Sequence, residues 1–325
     1  MRVLVLGGTR FLGRRVTERL HARGDEVLLV HRGRHEPLPW LPVAHLRTDR
    51  RELAGRAERV REFAPQAVVD TSALTGSDVD AVLPVLPRVP AVVLSSQDVY
   101  EAFAALRAGR HHSDGPLTED SPVRAERYPY RGLGYDSVPE DYEKLDVEQR
   151  WLARGAVVLR LPLSYGPHDW QRREDVVLRR LRAGRRSIPV GPGELLWTRG
   201  HVEDLATGVL AALDRRAADG MVLNLGETGT PPLRQWFEQI VAAAGSDARL
   251  VRVADEVLPP DVALTAQQPQ HLLVSVERAR AVLGWNPGEP ATRVAESVRW
   301  HLAHPPDTTW TDADTAADEA ALAHR

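Results

Sequence analysis

The chain has 325 residues, of which 43% are hydrophobic and 27% charged, the balance of a protein that buries a sizeable core. Its formal net charge of −3 gives no bulk attraction to nucleic acid or an anionic membrane, and without cysteine it can form neither disulfides nor thiolate metal sites. No stretch approaches 18 uncharged apolar residues. We therefore expect no membrane span, no secretory leader and a cytoplasmic protein.

Short apolar strands alternate with helical patterns over the first half of the chain. The predicted strands are residues 2–6, 26–31, 44–46, 67–70, 91–95 and 156–161. The predicted helices are residues 11–23, 51–63, 79–86 and 140–154. Strands of four to six apolar residues spaced by helices indicate a parallel sheet covered on both faces. The predicted fold class is therefore α/β, with the doubly wound parallel sheet of the dinucleotide-binding (Rossmann) fold.

The pattern loosens after Tyr165. Helices are predicted at residues 173–183, 203–215, 233–243 and 276–283, between loops rich in glycine and proline. We divide the chain into a dinucleotide-binding domain, residues 1–165, and a smaller substrate lobe, residues 166–325. Residues 201–226 are expected to return to the first domain, with a strand at 221–225. The acidic, alanine-rich tail 307–325 is either a terminal helix or a disordered end.

A glycine-rich turn joins the first predicted strand to the first helix. It consists of Gly7, Gly8, Thr9, Arg10, Phe11, Leu12 and Gly13. Such a turn lets the backbone approach a pyrophosphate, and the helix N-terminus adds N–H groups and a positive dipole. The spacing resembles the TGGxGFxG fingerprint of the extended short-chain dehydrogenase/reductase superfamily, of the sugar-nucleotide epimerase/dehydratase type. Arg10 stands where that family usually has glycine, and atypical members carry this GGTRF variant. We assign the whole turn to cofactor binding.

The end of the second strand bears on the choice of cofactor. An NAD enzyme usually has an acidic residue near His31 that accepts from the ribose 2′-hydroxyl, and this chain has none there. Arg32 and Arg34 could instead hold a 2′-phosphate by charge-assisted hydrogen bonds, or could be solvated surface arginines. We predict NADP(H), with NAD as the second choice, and count His31 in the site. Asp49 matches the family position that contacts adenine, and could equally cap its own loop.

The segment 94–100 resembles the family's SSxxVYG motif. By that resemblance Ser96 is the catalytic hydroxyl that orients the substrate's reacting oxygen. Asp98 falls where sugar-nucleotide dehydratases place an acid/base carboxylate. Taken without its surroundings, the same segment would be a Ser/Asp turn at the end of a strand.

The family's catalytic helix carries Tyr-x-x-x-Lys, a spacing that puts both side chains on one helix face. Lys144 to Gln149 resembles the family's KxxxEQ run, so Lys144 is expected to face the nicotinamide ribose. Glu140 then falls at the tyrosine position, while Tyr142 lies about 200° away around a regular helix. We favour Tyr142, reaching the site through an irregular first turn. The other interpretations are a phenol from Tyr135, a carboxylate acid/base at Glu140, which could also be part of a capping box, and loss of the redox function.

Later segments extend the resemblance over nearly the whole chain. Residues 159–167 resemble the family's LRxxxxYGP segment, and residues 197–206 resemble RxFxHVxDxA. The resemblance implies cofactor contacts from Ser72, Pro162 and Ser164 and substrate contacts from Ser96, Tyr165 and Arg199. Arg199 would meet the diphosphate of a nucleotide-sugar, although it lies one or two residues off the strict alignment.

The resemblance implies an NADP-dependent oxidoreductase, epimerase or dehydratase. It would act by hydride transfer on a nucleotide-sugar or a related hydroxylated small molecule, without a metal, and a homodimer is the oligomer to consider. The alternative is a catalytically degenerate cofactor-binding scaffold or an RNA-binding relative, which the broken Tyr–Lys spacing favours. A basic run could carry phosphates or form a solvated helix face: Arg179, Arg180, Arg182, Arg185 and Arg186. The net charge argues against a nucleic-acid partner.

Overall fold

The computed structural model describes residues 1–34 and 41–324. Its strands are β1 (Arg2–Leu6), β2 (Glu26–His31), β3 (Ala44–Arg47), β4 (Ala67–Asp70), β5 (Ala91–Ser96), β6 (Val157–Leu161), β7 (Leu163–Tyr165), β8 (Ser187–Val190), β9 (Arg199–His201), β10 (Val222–Asn224) and β11 (Arg249–Arg252). Its α-helices are α1 (Phe11–Ala22), α2 (Ala57–Phe63), α3 (Gly76–Asp80), α4 (Glu101–Arg107), α5 (Lys144–Leu152), α6 (Asp175–Arg182), α7 (Val202–Asp214), α8 (Leu233–Ala243), α9 (Glu277–Leu283), α10 (Pro290–Ala303) and α11 (Asp312–Leu322).

A seven-stranded parallel sheet organises the first half of the molecule, in the order β10-β6-β5-β4-β1-β2-β3. The strand order reverses beside β1, as in a doubly wound sheet, so the predicted α/β fold is confirmed. β10, from the second half of the chain, pairs with β6 at one edge. β7 pairs with β9 and β8 with β11 in two further small parallel sheets.

Alternate residues of β1 enter two different apolar clusters because successive side chains of a strand point to opposite faces. Val3 and Val5 belong to a cluster that includes residues of α1 and α7. Leu4 and Leu6 belong to a cluster that includes residues of α5. Helices therefore cover both faces, which explains why the strands are continuously apolar rather than alternating. A third cluster joins α6, α8 and α10.

Two predicted helices between β3 and β5 differ from the structure. The prediction of a helix at 79–86 was wrong: α3 ends at Asp80 and turns follow. Pro84 lacks the N–H that would extend the helix and disfavours a helical residue before it. The predicted helix 51–63 begins instead as a 3₁₀ helix, Arg50–Arg56, before α2. The tail forms α11, so of the two interpretations the terminal helix holds.

The basic run lies on and just after α6, and carboxylates neutralise it. Arg180 is 1% exposed and bonds Asp318 and Asp261, each through two hydrogen bonds. The other four pairs are Arg179–Asp314, Arg182–Asp175, Arg185–Glu319 and Arg186–Asp247. Three of the five arginines thus bond the acidic helix α11, and the run does not present free positive charge to a polyanion. Within the described residues, no helix combines the length and apolarity needed to cross a membrane.

Candidate active site

The loop between β1 and α1 is built so that only glycine fits at three positions. Gly7 and Gly8 have φ of 96° and 86°, which side chains rarely adopt. A Cβ on Gly8 would lie 2.6 Å from Leu29 Cδ2, and one on Gly13 would lie 3.0 Å from Gly8 Cα. Thr17 Oγ1 donates to the carbonyls of Gly8 and Gly13, which braces the loop. The loop therefore presents backbone at a helix N-terminus, a cradle that suits a diphosphate.

The remaining loop residues differ in what they offer a ligand. Thr9 is half-buried and Arg10 is exposed. The Arg10 guanidinium lies 5.2 Å from the centre of the Trp170 ring, so it contacts a residue of the predicted lobe. Phe11 begins α1 with φ of 41°. Leu12 is buried in the apolar core, so its backbone is the part that would serve a cofactor.

The end of β2 carries two exposed arginines and a histidine whose ring nitrogens both have partners within the chain. Arg32 and Arg34 are exposed. His31 is buried; its Nδ1 accepts from the Gly33 N–H at 3.1 Å and its Nε2 lies 3.0 Å from His45 Nδ1. Burial, with His45 and Arg47, lowers the pKa of His31. Both ring nitrogens have partners within the chain, so a cofactor contact of His31 stays a prediction that these hydrogen bonds disfavour.

Two further residues of the predicted cofactor site lie after β3 and β4. The Asp49 carboxylate accepts from the Arg51 N–H at 2.9 Å, so it caps its own loop, the second of the two interpretations. Ser72 Oγ lies 3.1 Å from Arg50 Nη1 and donates to the Leu6 carbonyl at 3.3 Å. Ser72 therefore lies beside the glycine-rich loop, and its contact with a cofactor stays a prediction.

The helix that carries Lys144 starts four residues later than predicted. Glu143 is its N-cap: the carboxylate accepts from the Leu145 N–H at 3.0 Å and forms a buried ion pair with Arg124. Tyr142 therefore precedes the helix, and the 200° argument against it does not apply. This local structure explains how a Tyr-x-Lys spacing can bring the phenol to the site.

The two rivals of Tyr142 lie outside the buried site. Glu140 is exposed and accepts from the Gly132 N–H at 2.7 Å, so it neither caps α5 nor approaches the other candidates. The interpretation of Glu140 as part of a capping box is wrong because Glu143 caps α5, and its interpretation as a catalytic carboxylate stays a prediction that its exposure disfavours. The Tyr135 side chain is 55% exposed, and its ring meets only the edge of the Tyr130 ring among the aromatic contacts of the described residues.

The Asp98 carboxylate, just after the carboxyl end of β5, accepts hydrogen bonds from two phenols. Tyr142 Oη and Tyr130 Oη each donate to Asp98 Oδ2 at 2.8 Å. Ser96 Oγ accepts from the Asp98 N–H at 3.2 Å, which holds the turn. Burial, and then the Asp98 carboxylate, raise the pKa of Tyr142 well above its ordinary value, while a hydrogen bond with Ser96 opposes this. The structure thus brings Ser96, Asp98 and Tyr142 together.

Lys144 lies under this cluster, not in an open groove. Its side chain is 6% exposed, and Nζ donates to the carbonyls of Ala73 at 2.6 Å and Leu94 at 3.0 Å. Burial lowers its pKa, while Asp70 and Asp98 raise it. Two of its three N–H groups bond the segments after β4 and within β5, so the expected contact with a ribose, which stays a prediction, would use the third.

The segment after β6 is less open than expected. Ser164 Oγ donates to the carbonyl of the buried Pro162 at 3.1 Å. Tyr165 is fully buried and donates to Glu227 Oε1 at 2.5 Å. Arg199 is 1% exposed; Nη2 donates to the Pro231 carbonyl at 2.9 Å. Tyr165 and Arg199 lie on the paired strands β7 and β9 and both side chains are in the interior, which disfavours their assignment as substrate-binding residues; that assignment stays a prediction.

Tyr130 is the member of the cluster that the sequence analysis missed. It lies in the polar stretch before α5, 32 residues after Asp98, where neither periodicity nor a motif links the two. Its ring meets the Tyr142 ring edge-on at 5.1 Å, and the Arg107 guanidinium lies 5.2 Å from its centre. Its pKa is raised by burial and by Asp98.

A glycine cradle at the first turn of a doubly wound sheet, with a hydroxyl, a carboxylate and phenols at the strand ends, defines a dinucleotide-binding enzyme. Comparison with known proteins agrees: residues 3–106 match the "NAD dependent epimerase/dehydratase family". Over these residues the chain is thus similar to the NAD-dependent epimerases and dehydratases that this family contains.

Three relatives illustrate the range of similar proteins. The chain is 29% identical over 272 residues to a 2-alkyl-3-oxoalkanoate reductase of Stenotrophomonas maltophilia, covering 76% of each chain. It is 26% identical over 307 residues to the chloroplast stem-loop binding protein of 41 kDa b of Arabidopsis thaliana, covering 88% of this chain and 75% of that one. The fold matches dTDP-glucose 4,6-dehydratase of Bacillus anthracis with a TM-score of 0.71 at 16% identity, covering 94% and 97%.

Proposed function

We propose that the chain is an NADP(H)-dependent reductase that converts a ketone of a hydroxylated small molecule to the alcohol. The observation that supports this proposal most directly is the hydrogen bond from Tyr142 Oη to the Asp98 carboxylate at 2.8 Å. A neighbouring negative charge disfavours a phenolate, and burial acts in the same direction. Tyr142 is therefore held as a proton donor, which is the role that carbonyl reduction requires and alcohol oxidation does not.

Each of the chain's own groups has a part in this proposal. The bound cofactor would supply hydride from C4 of its nicotinamide. The backbone of the loop 7–13 would hold its diphosphate, and the exposed Arg32 and Arg34 would hold a 2′-phosphate. Ser96 would orient the carbonyl oxygen, and Tyr142 would protonate it. Lys144 would keep the two strand ends, and hence the phenol and hydroxyl, in register through its carbonyl contacts.

The relatives and the buried arginine bear on the substrate. The reductase relative acts on an oxoalkanoate by its name, which supports a ketone. Arg199 was the residue expected to bind the diphosphate of a nucleotide-sugar, and it is enclosed. A ketone without a nucleoside diphosphate is therefore the first substrate class to test, and a keto-sugar nucleotide the second. The stem-loop binding relative supports a nucleic-acid-binding function, whereas the ion pairs of Arg179, Arg180 and Arg185 weigh against this basic run as the binding surface.

The test is reduction of a panel of ketones, followed by the loss of NADPH absorbance. We expect wild-type turnover with at least one β-keto acid or keto-sugar. Tyr142→Phe should lower kcat by about 10²–10⁴-fold because it removes the general acid, while NADPH affinity stays unchanged. The matched control Tyr135→Phe removes an exposed phenol and should keep the wild-type rate. A Tyr142→Phe variant with the wild-type rate would show that the proton comes from elsewhere.

A further inference from the structure

We propose that Tyr130 is a positioning residue that, through Asp98, returns a proton from solvent to Tyr142 after each turnover. This inference rests on the proposed function, because it concerns how the proton donor of that reaction is recharged. It assigns a role to a residue that no motif of the family singles out.

The geometry is a chain of two hydrogen bonds through one carboxylate. Tyr130 Oη and Tyr142 Oη both donate to the same oxygen, Asp98 Oδ2, each at 2.8 Å. The other oxygen, Oδ1, is buried and has no hydrogen-bond partner among the described residues. Tyr142 is 7% exposed, whereas Tyr130 is only half-buried. The hydrogen-bond chain thus runs from a buried tyrosine to one that is partly exposed to solvent.

The reaction leaves Tyr142 in need of a proton. As hydride joins the carbonyl carbon, the C=O π bond breaks and the Tyr142 proton passes to the oxygen, so a C–H and an O–H bond form and the tyrosine becomes a phenolate. A phenolate beside the Asp98 carboxylate, in a buried site, is strongly disfavoured. Lys144 is enclosed and bonded to two backbone carbonyls, so it offers no path to bulk water.

The hydrogen-bond chain supplies that path with the proton count in balance. The Tyr130 proton moves to Asp98 Oδ2, the same proton then moves on to the Tyr142 phenolate, and water reprotonates the Tyr130 phenolate. The net result is one proton taken up from solvent and no change in any of the three residues. The charged groups that act on the two phenols are Asp98, Arg107, Arg124 and Arg173, and Lys144 acts on Asp98.

Tyr130→Phe tests the relay because it removes the hydroxyl and keeps the ring that packs against Tyr142. In rapid-mixing experiments with NADPH and a ketone that wild type reduces, the first turnover should keep the wild-type rate. Later turnovers should be slowed by about tenfold or more, which gives a burst of one equivalent of NADPH oxidised per site. Tyr135→Phe should show neither effect. Equal slowing of the first and later turnovers would indicate a merely structural role and overturn the relay.

A second measurement needs neither cofactor nor substrate. In a protein labelled at the tyrosine Cζ with ¹³C, the Tyr142 signal should move in Tyr130→Phe and stay in place in Tyr135→Phe, because only Tyr130 shares Asp98. An unmoved Tyr142 signal would overturn the hydrogen-bond chain. If wild type reduces ketones but Tyr130→Phe behaves like the control, the relay fails and the proposed function stands. If wild type reduces none, the proposed function fails, and the NMR result still decides whether the two phenols are coupled.

Discussion

Gly13 is the position where the phosphate cradle can be tested most sharply. Its backbone φ does not bar a side chain, so the obstacle is space alone. In Gly13→Ala the new Cβ would lie 2.9 Å from Thr71 Oγ1 and 3.0 Å from both Cα and N of Gly8. The threonine hydroxyl can rotate away, but the Gly8 backbone can yield only if the loop shifts. Overpacking of this kind costs about 1–3 kcal/mol, and the better helix propensity of alanine returns up to about 1 kcal/mol.

Gly13→Ala should weaken cofactor binding more than it lowers the free energy of unfolding. If the displaced loop loses one charge-assisted hydrogen bond to the diphosphate, about 1.5–3 kcal/mol, NADPH affinity falls by about ten- to a hundredfold. Urea unfolding followed by circular dichroism gives the stability, and NADPH fluorescence gives the affinity. Gly55→Ala is the matched control, because nothing lies within 4 Å of a Cβ there. Gly13→Val should abolish cofactor binding or folding. A folded Gly13→Ala protein with wild-type affinity would refute the cradle.

Two other predictions concern cofactor choice and pH. Arg32→Ala with Arg34→Ala should weaken NADPH far more than NADH in parallel titrations, with Arg59→Ala, another exposed arginine, as the control; equal losses would contradict the 2′-phosphate assignment. Burial raises the pKa of Glu174 to about 7, above the ordinary 4.5. Its contribution to the free energy of unfolding, about 3 kcal/mol, is therefore present below pH 4.5 and lost as the pH rises to about 7. Glu174→Gln should flatten that fall in chemical unfolding measured at several pH values, and parallel wild-type and variant curves would contradict it.

The sheet could be predicted because its information is local. Each strand is a short apolar run, and a run buried on both faces needs no knowledge of its neighbours. β2 and β4 have the predicted bounds, and β1 likewise. The glycine-rich loop could also be predicted from the sequence, because its positive φ angles and the short distances to neighbouring atoms admit few residues other than glycine.

The catalytic cluster was less predictable because its partners are distant in sequence. The start of α5 depends on its N-cap, Glu143, whose carboxylate accepts hydrogen bonds from Arg124, 19 residues earlier. With Glu143 held in this ion pair, the helix begins after Tyr142. A prediction made without this ion pair extends the helix through Tyr142 and so wrongly places its phenol on the helix face opposite Lys144. Tyr130 joins Asp98 only through the folded loop. The alignment could propose a role for Arg199, but not its enclosure, which follows from the pairing of β7 with β9.

A crystal structure of the chain with NADPH tests the central claim most directly. The account predicts the diphosphate against the backbone amides of the loop 7–13 and the 2′-phosphate beside Arg32 and Arg34. It further predicts that C4 of the nicotinamide faces a space bounded by Ser96 and Tyr142, with room for a carbonyl about 3–3.5 Å from both the phenol and C4. A nicotinamide turned away from Tyr142, or a diphosphate bound outside the glycine loop, would contradict it.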